Sequence, residues 1–168
     1  FGHPGLREST GYDYTRTASP TRDVLQDALA RLEGGTAAFA LSSGMAALEL
    51  VTRTLAPHGS RIVALRDLYG GSFRFLEVLA EEEAAHVDFV LGLEGLRGAL
   101  ADPADLVIIE TPTNPMMEEI SIPEAAELAH AAGAKLVVDN TFYTPVVQRP
   151  LELGADVVVH SGTKYLGG

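Results

Sequence analysis

Short apolar runs alternate along the chain with longer segments whose apolar residues recur at helical spacing. Three runs, Leu106–Ile109, Leu136–Val138 and Val157–Val159, are apolar on both faces, which is typical of parallel strands covered by helices on both sides. The predicted strands are Thr36–Leu41, Arg61–Leu65, His86–Leu91, Asp105–Ile109, Lys135–Val138 and Asp156–His160. The predicted helices are Pro20 to Gly34, Met45–Leu55, Ser72–Glu83, Leu93–Leu100 and Pro123–Ala132. The pattern therefore predicts an α/β fold, a three-layer α/β/α domain with a mostly parallel sheet.

Composition narrows the function classes. The chain has 168 residues, of which 46% are hydrophobic and 21% charged, and this balance is typical of a folded domain. Its net charge of −11 argues against nucleic-acid binding and against a basic membrane-surface protein. No apolar run reaches the roughly 18 residues of a membrane span, and no signal peptide is visible. The chain has no Cys, and we expect a cytoplasmic protein.

The candidate chemistry follows the predicted strands, because ligands of open α/β sheets bind beyond the carboxyl ends of the strands. The turn Ser42–Met45 opens a helix, and glycine there lets backbone N–H groups approach an anion. A plain helix N-cap would also explain this turn. The fingerprints of a P-loop and of a dinucleotide fold are both missing.

Three further side chains point to one ligand. Asp139 ends a buried strand, so its carboxylate needs a cation, a metal or several donors; it could also bond the turn that follows. The nearby residues are poor metal ligands. Lys164 follows an apolar strand and could be a nucleophile or a solvated lysine, while Tyr69 could stack on a ring or pack at the edge of the core. Pyridoxal 5′-phosphate offers the anion, the ring nitrogen and the aldehyde that these groups require.

The order of the motifs resembles a known family. The run Asp156–Gly168 is similar to the cofactor-attachment signature of the trans-sulfuration enzymes of Cys/Met metabolism. Five further elements match in order: Tyr14–Arg16, Ser42–Ala47, Tyr69–Gly71, Glu110–Pro115 and Val138–Thr141. The resemblance covers nearly the whole chain and implies the large domain of a pyridoxal-phosphate enzyme of fold type I, the aspartate aminotransferase-like fold.

The resemblance implies a role for each matching residue. Lys164 would bind the cofactor aldehyde and move protons, Asp139 would pair with the ring nitrogen, and Tyr69 would stack on the ring and help proton transfer. The backbone of Gly44 and Met45 would bind the phosphate, together with the hydroxyls of Ser161 and Thr163. The implied catalytic residues are Lys164 and Tyr69, and the implied cofactor-binding residues are Tyr14, Arg16, Gly44, Met45, Tyr69, Glu110, Asn114, Asp139, Thr141, Ser161, Thr163 and Lys164, with no metal.

The resemblance also implies an assembly. Residues 1–20 would be an arm that reaches the phosphate of a neighbouring subunit, and residues 21–168 would be the cofactor-binding large domain. The small C-terminal domain of the family lies outside this chain. We expect a homotetramer, a dimer of dimers with active sites shared between subunits.

The implied reaction is γ-replacement, in which O-acetyl- or O-succinyl-homoserine and cysteine give cystathionine. Cystathionine γ-lyase and O-acetylhomoserine sulfhydrylase are the alternatives within the family. Gly71 stands where methionine γ-lyases carry a Cys, which argues against that branch. A catalytically dead scaffold is the non-enzyme alternative, although a scaffold would not require the lysine, the aspartate and the tyrosine together.

Overall fold

The computed structural model describes residues 5–6, 8–82 and 84–167. The chain divides into two compact units, residues 1–40 and residues 41–168. The first unit contains helix α1, Pro20–Glu33, which has proline in its first turn and ends at Gly34. Gly34 has a φ of 71°, a left-handed conformation that suits glycine, and its N–H bonds the last turn of the helix. The predicted division into an arm and a large domain at residue 20 stays a prediction.

The strand predicted at Thr36–Leu41 is wrong. These residues have no strand geometry. The N–H of Ala40 bonds the side chain of Gln26, 3.0 Å away, rather than a neighbouring strand, and Phe39 is 75% exposed. The alternation of apolar residues fits a strand, but a strand forms only where another backbone satisfies its hydrogen bonds.

The second unit contains the other predicted elements, each within about two residues of its expected bounds. One end of a predicted helix, Glu83, lies outside the described residues. Along the chain the elements are α2 Gly44–Leu55, β1 Ser60–Leu65, α3 Gly70–Glu81, β2 Ala85–Val90, α4 Gly92–Ala99, β3 Leu106–Glu110, α5 Ile122–Ala131, β4 Lys135–Asp139, α6 Thr144–Val147, a 3-10 helix Pro150–Leu153 and β5 Val157–Val159.

The sheet of the second unit has five strands in the order β2-β1-β3-β4-β5, all parallel. After β1 the chain adds β2 at one edge of the sheet, and β3, β4 and β5 then follow towards the other edge. Right-handed crossovers in these two directions place helices on both faces. In agreement with this, α2 contacts α3, and α4 contacts α5. The predicted three-layer α/β/α architecture is confirmed. None of the described helices has the length and apolar character needed to cross a membrane.

The core lies in the middle of this sheet. All five residues of β3 are buried, as are Leu136, Val137 and Val138 of β4. Burial on both faces explains why these strands are continuous apolar runs rather than alternating ones. The first polar residue at the end of β3 is Glu110, and at the end of β4 it is Asp139.

Arg61 lies at the opposite edge of the sheet, where the strands begin, and its hydrogen bonds stabilise that edge. Its guanidinium donates to Asp88 Oδ2 at 2.6 and 2.9 Å. It also donates to the carbonyl oxygens of Ala99, Asp102 and Pro103 at 2.9–3.1 Å. One side chain therefore ties β1 to β2, to the last carbonyl of α4 and to two carbonyls of the segment that follows α4.

We expect Arg61→Ala to lower the free energy of unfolding by about 2 kcal/mol, because it removes a charged donor of five hydrogen bonds, one of them to a partly buried carbonyl. Arg61→Lys should restore only part of this loss, since an ammonium lacks the planar fork. Urea unfolding followed by circular dichroism measures both variants. The matched control is Arg53→Ala, whose exposed ion pair with Glu49 should contribute less than about 1 kcal/mol. Equal losses for the two alanine variants would contradict this role of Arg61.

Candidate active site

A cavity of about 260 Å³ opens in the second unit at the carboxyl edge of the sheet. The chain reverses its direction across the sheet between β1 and β3, and ligands of open α/β sheets bind at such a switch point. Ten of the twelve predicted site residues line this cavity: Gly44, Met45, Tyr69, Glu110, Asn114, Asp139, Thr141, Ser161, Thr163 and Lys164.

One wall of the cavity is the N-terminal end of α2. The side chain of Ser43 caps the helix by accepting the N–H of Ala46 at 3.0 Å. A Cβ on Gly44 would lie 2.9 Å from Cβ of Ser161, so only glycine allows the helix to approach the segment after β5 this closely. The first N–H groups of a helix have no partner within the helix, and the helix dipole favours a negative group there. This wall therefore suits an anion such as a phosphate.

Asp139 lies at the floor of the cavity, at the end of β4. Its Oδ1 accepts the N–H of Thr141 at 3.0 Å and the hydroxyl of the same residue at 2.5 Å. The sequence left two interpretations of Asp139, a ligand partner or hydrogen bonds to the following turn. The second, simpler one accounts for Oδ1. The hydroxyl of Thr141 also accepts the N–H of Ser161 at 2.9 Å, which links the carboxylate to the anion-binding wall.

Burial raises the pKa of the Asp139 carboxyl, while the two bonds from Thr141 and the charge of His160 partly oppose that rise. A cationic ligand group beside Asp139 would favour the ionised carboxylate. The cavity therefore offers a carboxylate at its floor and an anion-binding wall at its side.

Glu110 is the second carboxyl group in the cavity. Its Oε2 accepts the backbone N–H of Tyr69 at 2.5 Å and so fixes the residue that begins α3. Tyr69 itself is 48% exposed and lines the cavity, and an aromatic side chain at this place suits a planar ligand. The position of Tyr69 thus depends on a carboxyl group from the neighbouring strand β3.

Buried polar residues shape the loop that carries Asn114 into the cavity. The hydroxyl of Thr111 accepts the N–H of Ile120 at 3.0 Å. The hydroxyl of Thr113 accepts the N–H of Glu118, also at 3.0 Å. Thr111 and Thr113 are almost fully buried, so the loop is held from inside. It therefore presents Asn114 from a defined backbone.

A reciprocal amide pair supports the turn after Asp139. Asn140 is fully buried and donates to the carbonyl of Gln148 at 2.9 Å. The side chain of Gln148 donates back to Asn140 Oδ1 at 2.9 Å and to the carbonyl of Thr111 at 3.3 Å. This pair joins the segment after β4 to the segment after β3. The sequence analysis did not assign this supporting role to Asn140 or Gln148.

Lys164 closes the cavity from the segment after β5, and its side chain is exposed in this structure. The other lysine, Lys135, begins β4 at the opposite edge of the sheet and pairs with Asp156. The remaining two predicted residues belong to the unit of residues 1–40, where the guanidinium of Arg16 lies 4.9 Å from the centre of the Tyr14 ring.

Four cavity residues were not among the predicted site residues: Ser43, Leu48, Ser72 and Phe142. Leu48 follows Gly44 by one helical turn, so helical spacing could have located it. Ser72 follows Tyr69 at three residues, and the same argument applies. Phe142 directly follows Thr141, but nothing in its sequence context shows which way the ring points.

Known proteins resemble this chain over its whole length. Residues 2–168 match the family model described as Cys/Met metabolism PLP-dependent enzyme. The chain is 46% identical over 170 residues to the cystathionine gamma-synthase/O-acetylhomoserine (thiol)-lyase of Bacillus subtilis (strain 168), covering 100% of this chain and 45% of that protein. It is 42% identical over 170 residues to the cystathionine gamma-lyase of the same organism, with the same coverage.

Among solved structures, the chain resembles cystathionine gamma synthase from Xanthomonas oryzae pv. oryzae in complex with aminoacrylate and cysteine. The TM-score is 0.95 at 42% identity, covering 100% of this chain and 44% of that one. The chain thus spans less than half the length of these relatives, and the expectation of fold type I is confirmed. The chain belongs to the family of pyridoxal-phosphate-dependent enzymes of cysteine and methionine metabolism.

Proposed function

We propose that the cavity holds pyridoxal 5′-phosphate and that the whole protein uses it for γ-replacement on an activated homoserine ester. The observation that carries this proposal is the meeting of Lys164, Asp139 and Tyr69 with the N-terminal end of α2 in one cavity. A catalytically dead scaffold would not require this combination.

The residues present fit the cofactor. The close contact between Gly44 and Ser161 forms an anion-binding wall in which a side chain at residue 44 would clash. Asp139 uses one oxygen on Thr141 and keeps the other for a ring nitrogen. The backbone N–H groups of Gly44 and Met45, with the hydroxyls of Ser161 and Thr163, would bind the phosphate, and Asn114 would bind the phenolic oxygen.

When bound, pyridoxal phosphate supplies an electron-poor ring that accepts the electron pair left at the substrate Cα when its proton departs. Asp139 keeps the ring nitrogen protonated, because an ionised carboxylate favours a neighbouring cation. Lys164 would hold the aldehyde carbon, and its amine would carry protons between the substrate Cα and Cβ. Tyr69 would stack on the ring and assist the transfer of protons.

In the proposed reaction the bond from Cγ to the ester oxygen breaks and a bond from Cγ to the cysteine sulfur forms. The thiol proton balances the departing carboxylate, so the products are cystathionine and acetic or succinic acid. The greater identity to the bifunctional Bacillus subtilis synthase than to the γ-lyase of that organism supports synthesis over elimination. Gly71 supports the same choice over a methionine γ-lyase, and a Cβ there would lie 2.5 Å from Cε1 of Tyr69.

We expect the full-length protein to form cystathionine from O-acetyl- or O-succinyl-homoserine when cysteine is present. Liquid chromatography with mass spectrometry measures the product, with and without cysteine. Lys164→Ala is the negative control, because it removes the proposed proton carrier. Formation of 2-oxobutanoate from added cystathionine, without cystathionine synthesis, would instead assign the protein to the γ-lyases.

The proposed assembly is a homotetramer, a dimer of dimers, in which Tyr14 and Arg16 bind the phosphate of a neighbouring subunit. Arginine suits this role because its planar fork donates two hydrogen bonds to one phosphate. The segment before α1 is largely exposed, as expected of an arm that docks on another chain.

A subunit-mixing experiment tests this arrangement. Arg16→Ala and Lys164→Ala chains, each inactive alone, should regain about a quarter of wild-type activity after equal mixing and subunit exchange, because half the dimers hold one intact site. The matched control mixes Asp139→Ala with Lys164→Ala, two changes within one cavity, and should show no recovery. If the first mixture also stays inactive although exchange is verified, Arg16 does not act across the interface.

A further inference from the structure

Two carboxyl groups lie side by side at the floor of the cavity. Glu110 and Asp139 are the last residues of β3 and β4 and are directly paired in the parallel register. The residue Glu110 is only 5% exposed. None of the ion pairs among residues 5–6, 8–82 and 84–167 includes either group. A buried carboxyl group such as Glu110 resists ionising when the partly buried carboxyl group beside it is already charged.

The hydrogen bonds decide which of the two holds the proton. Asp139 accepts two bonds from Thr141, one of them from a hydroxyl. Glu110 accepts one, from the N–H of Tyr69. Donors stabilise the charged form of a carboxyl group, so the charge belongs on Asp139. The carbonyl oxygen of a neutral carboxylic acid still accepts a hydrogen bond, so the contact between Glu110 and Tyr69 survives protonation.

The electrostatics of the cavity agree with this assignment. Burial and then the charge of Asp139 raise the pKa of Glu110 to about 7, although the N–H of Tyr69 lowers it. The other titratable groups lining the cavity are Asp139, Lys164 and the phenol of Tyr69, and His160 acts on Asp139.

We propose that Glu110 works as a neutral carboxylic acid, a positioning residue that holds the backbone of Tyr69 while Asp139 carries the single negative charge of the cavity floor. One consequence of this inference rests on the proposed function: the ring nitrogen of the cofactor meets one charged carboxylate and not two. The protonation state of Glu110 is measured on the chain itself, whether or not the cofactor binds.

Infrared spectroscopy of the full-length protein, labelled with ¹³C in the glutamate carboxyls, tests the protonation state. We expect a carboxylic acid C=O band at pH 6 that disappears through about pH 7 and is absent in Glu110→Gln. Glu118→Gln, at an exposed position, should leave the band unchanged. Asp139→Asn removes the neighbouring charge and should move the loss of the band to lower pH. If the wild-type protein lacks the band at pH 6, or if the band persists in Glu110→Gln, the inference is overturned.

The affinity for pyridoxal phosphate at pH 7 gives a second measurement. Glu110→Gln keeps a carbonyl oxygen for Tyr69 and resembles the neutral acid, so its dissociation constant should stay within about threefold of wild type. Glu110→Ala should weaken binding about tenfold, because the partly buried N–H of Tyr69 loses its acceptor. Equal weakening by both variants would overturn the inference. A wild-type protein that binds no pyridoxal phosphate would refute the proposed function instead, and the infrared band would still decide the state of Glu110.

Discussion

The placement of the buried carboxyl group of Glu110 beside the partly buried carboxyl group of Asp139, at the ends of β3 and β4, is the constraint on which the site depends. Parallel pairing places Glu110 opposite Asp139 at the same edge of the sheet, and the helices that cover the sheet keep water from Glu110. Folding raises the pKa of both groups. The folded state therefore retains protons that the unfolded chain releases above about pH 4.5, so this pair makes folding stability fall as pH rises towards 7. Such a cost is typical of a ligand site rather than of a structural one.

Hydrogen bonds from the surrounding residues offset part of this cost in folding stability, and the same bonds position the groups that line the cavity. Thr141 donates two hydrogen bonds to Asp139, and its hydroxyl also accepts the N–H of Ser161. One residue therefore positions both the carboxylate and the wall formed by Gly44 and Ser161. Glu110 in turn fixes the start of α3 through Tyr69. The buried pair of Asn140 and Gln148 holds the turn that carries Thr141. Strand ends thus supply the charged groups, and buried hydrogen bonds supply their orientation.

The sequence predicted the sheet well because β3 and β4 are buried on both faces, which leaves long apolar runs bounded by polar residues. The error at Thr36–Leu41 arose because apolar alternation cannot show whether a neighbouring strand exists to bond with. The short helix α6 was missed since four residues carry no helical period. Ten of the predicted site residues come together in one cavity because strand ends converge, yet the positions of Gln148 and Phe142 depend on side-chain directions that only the fold determines.

We propose that this cavity binds pyridoxal phosphate through Lys164, and chemical trapping tests this attachment most directly. The full-length protein is incubated with the cofactor, reduced with borohydride, digested and mapped by mass spectrometry. We expect a pyridoxyl group on Lys164. The group should be absent from Lys164→Ala and retained on Lys164 in Lys135→Ala, because Lys135 lies at the opposite edge of the sheet. A label on Lys135, or no label on Lys164 of the wild-type protein, would contradict it.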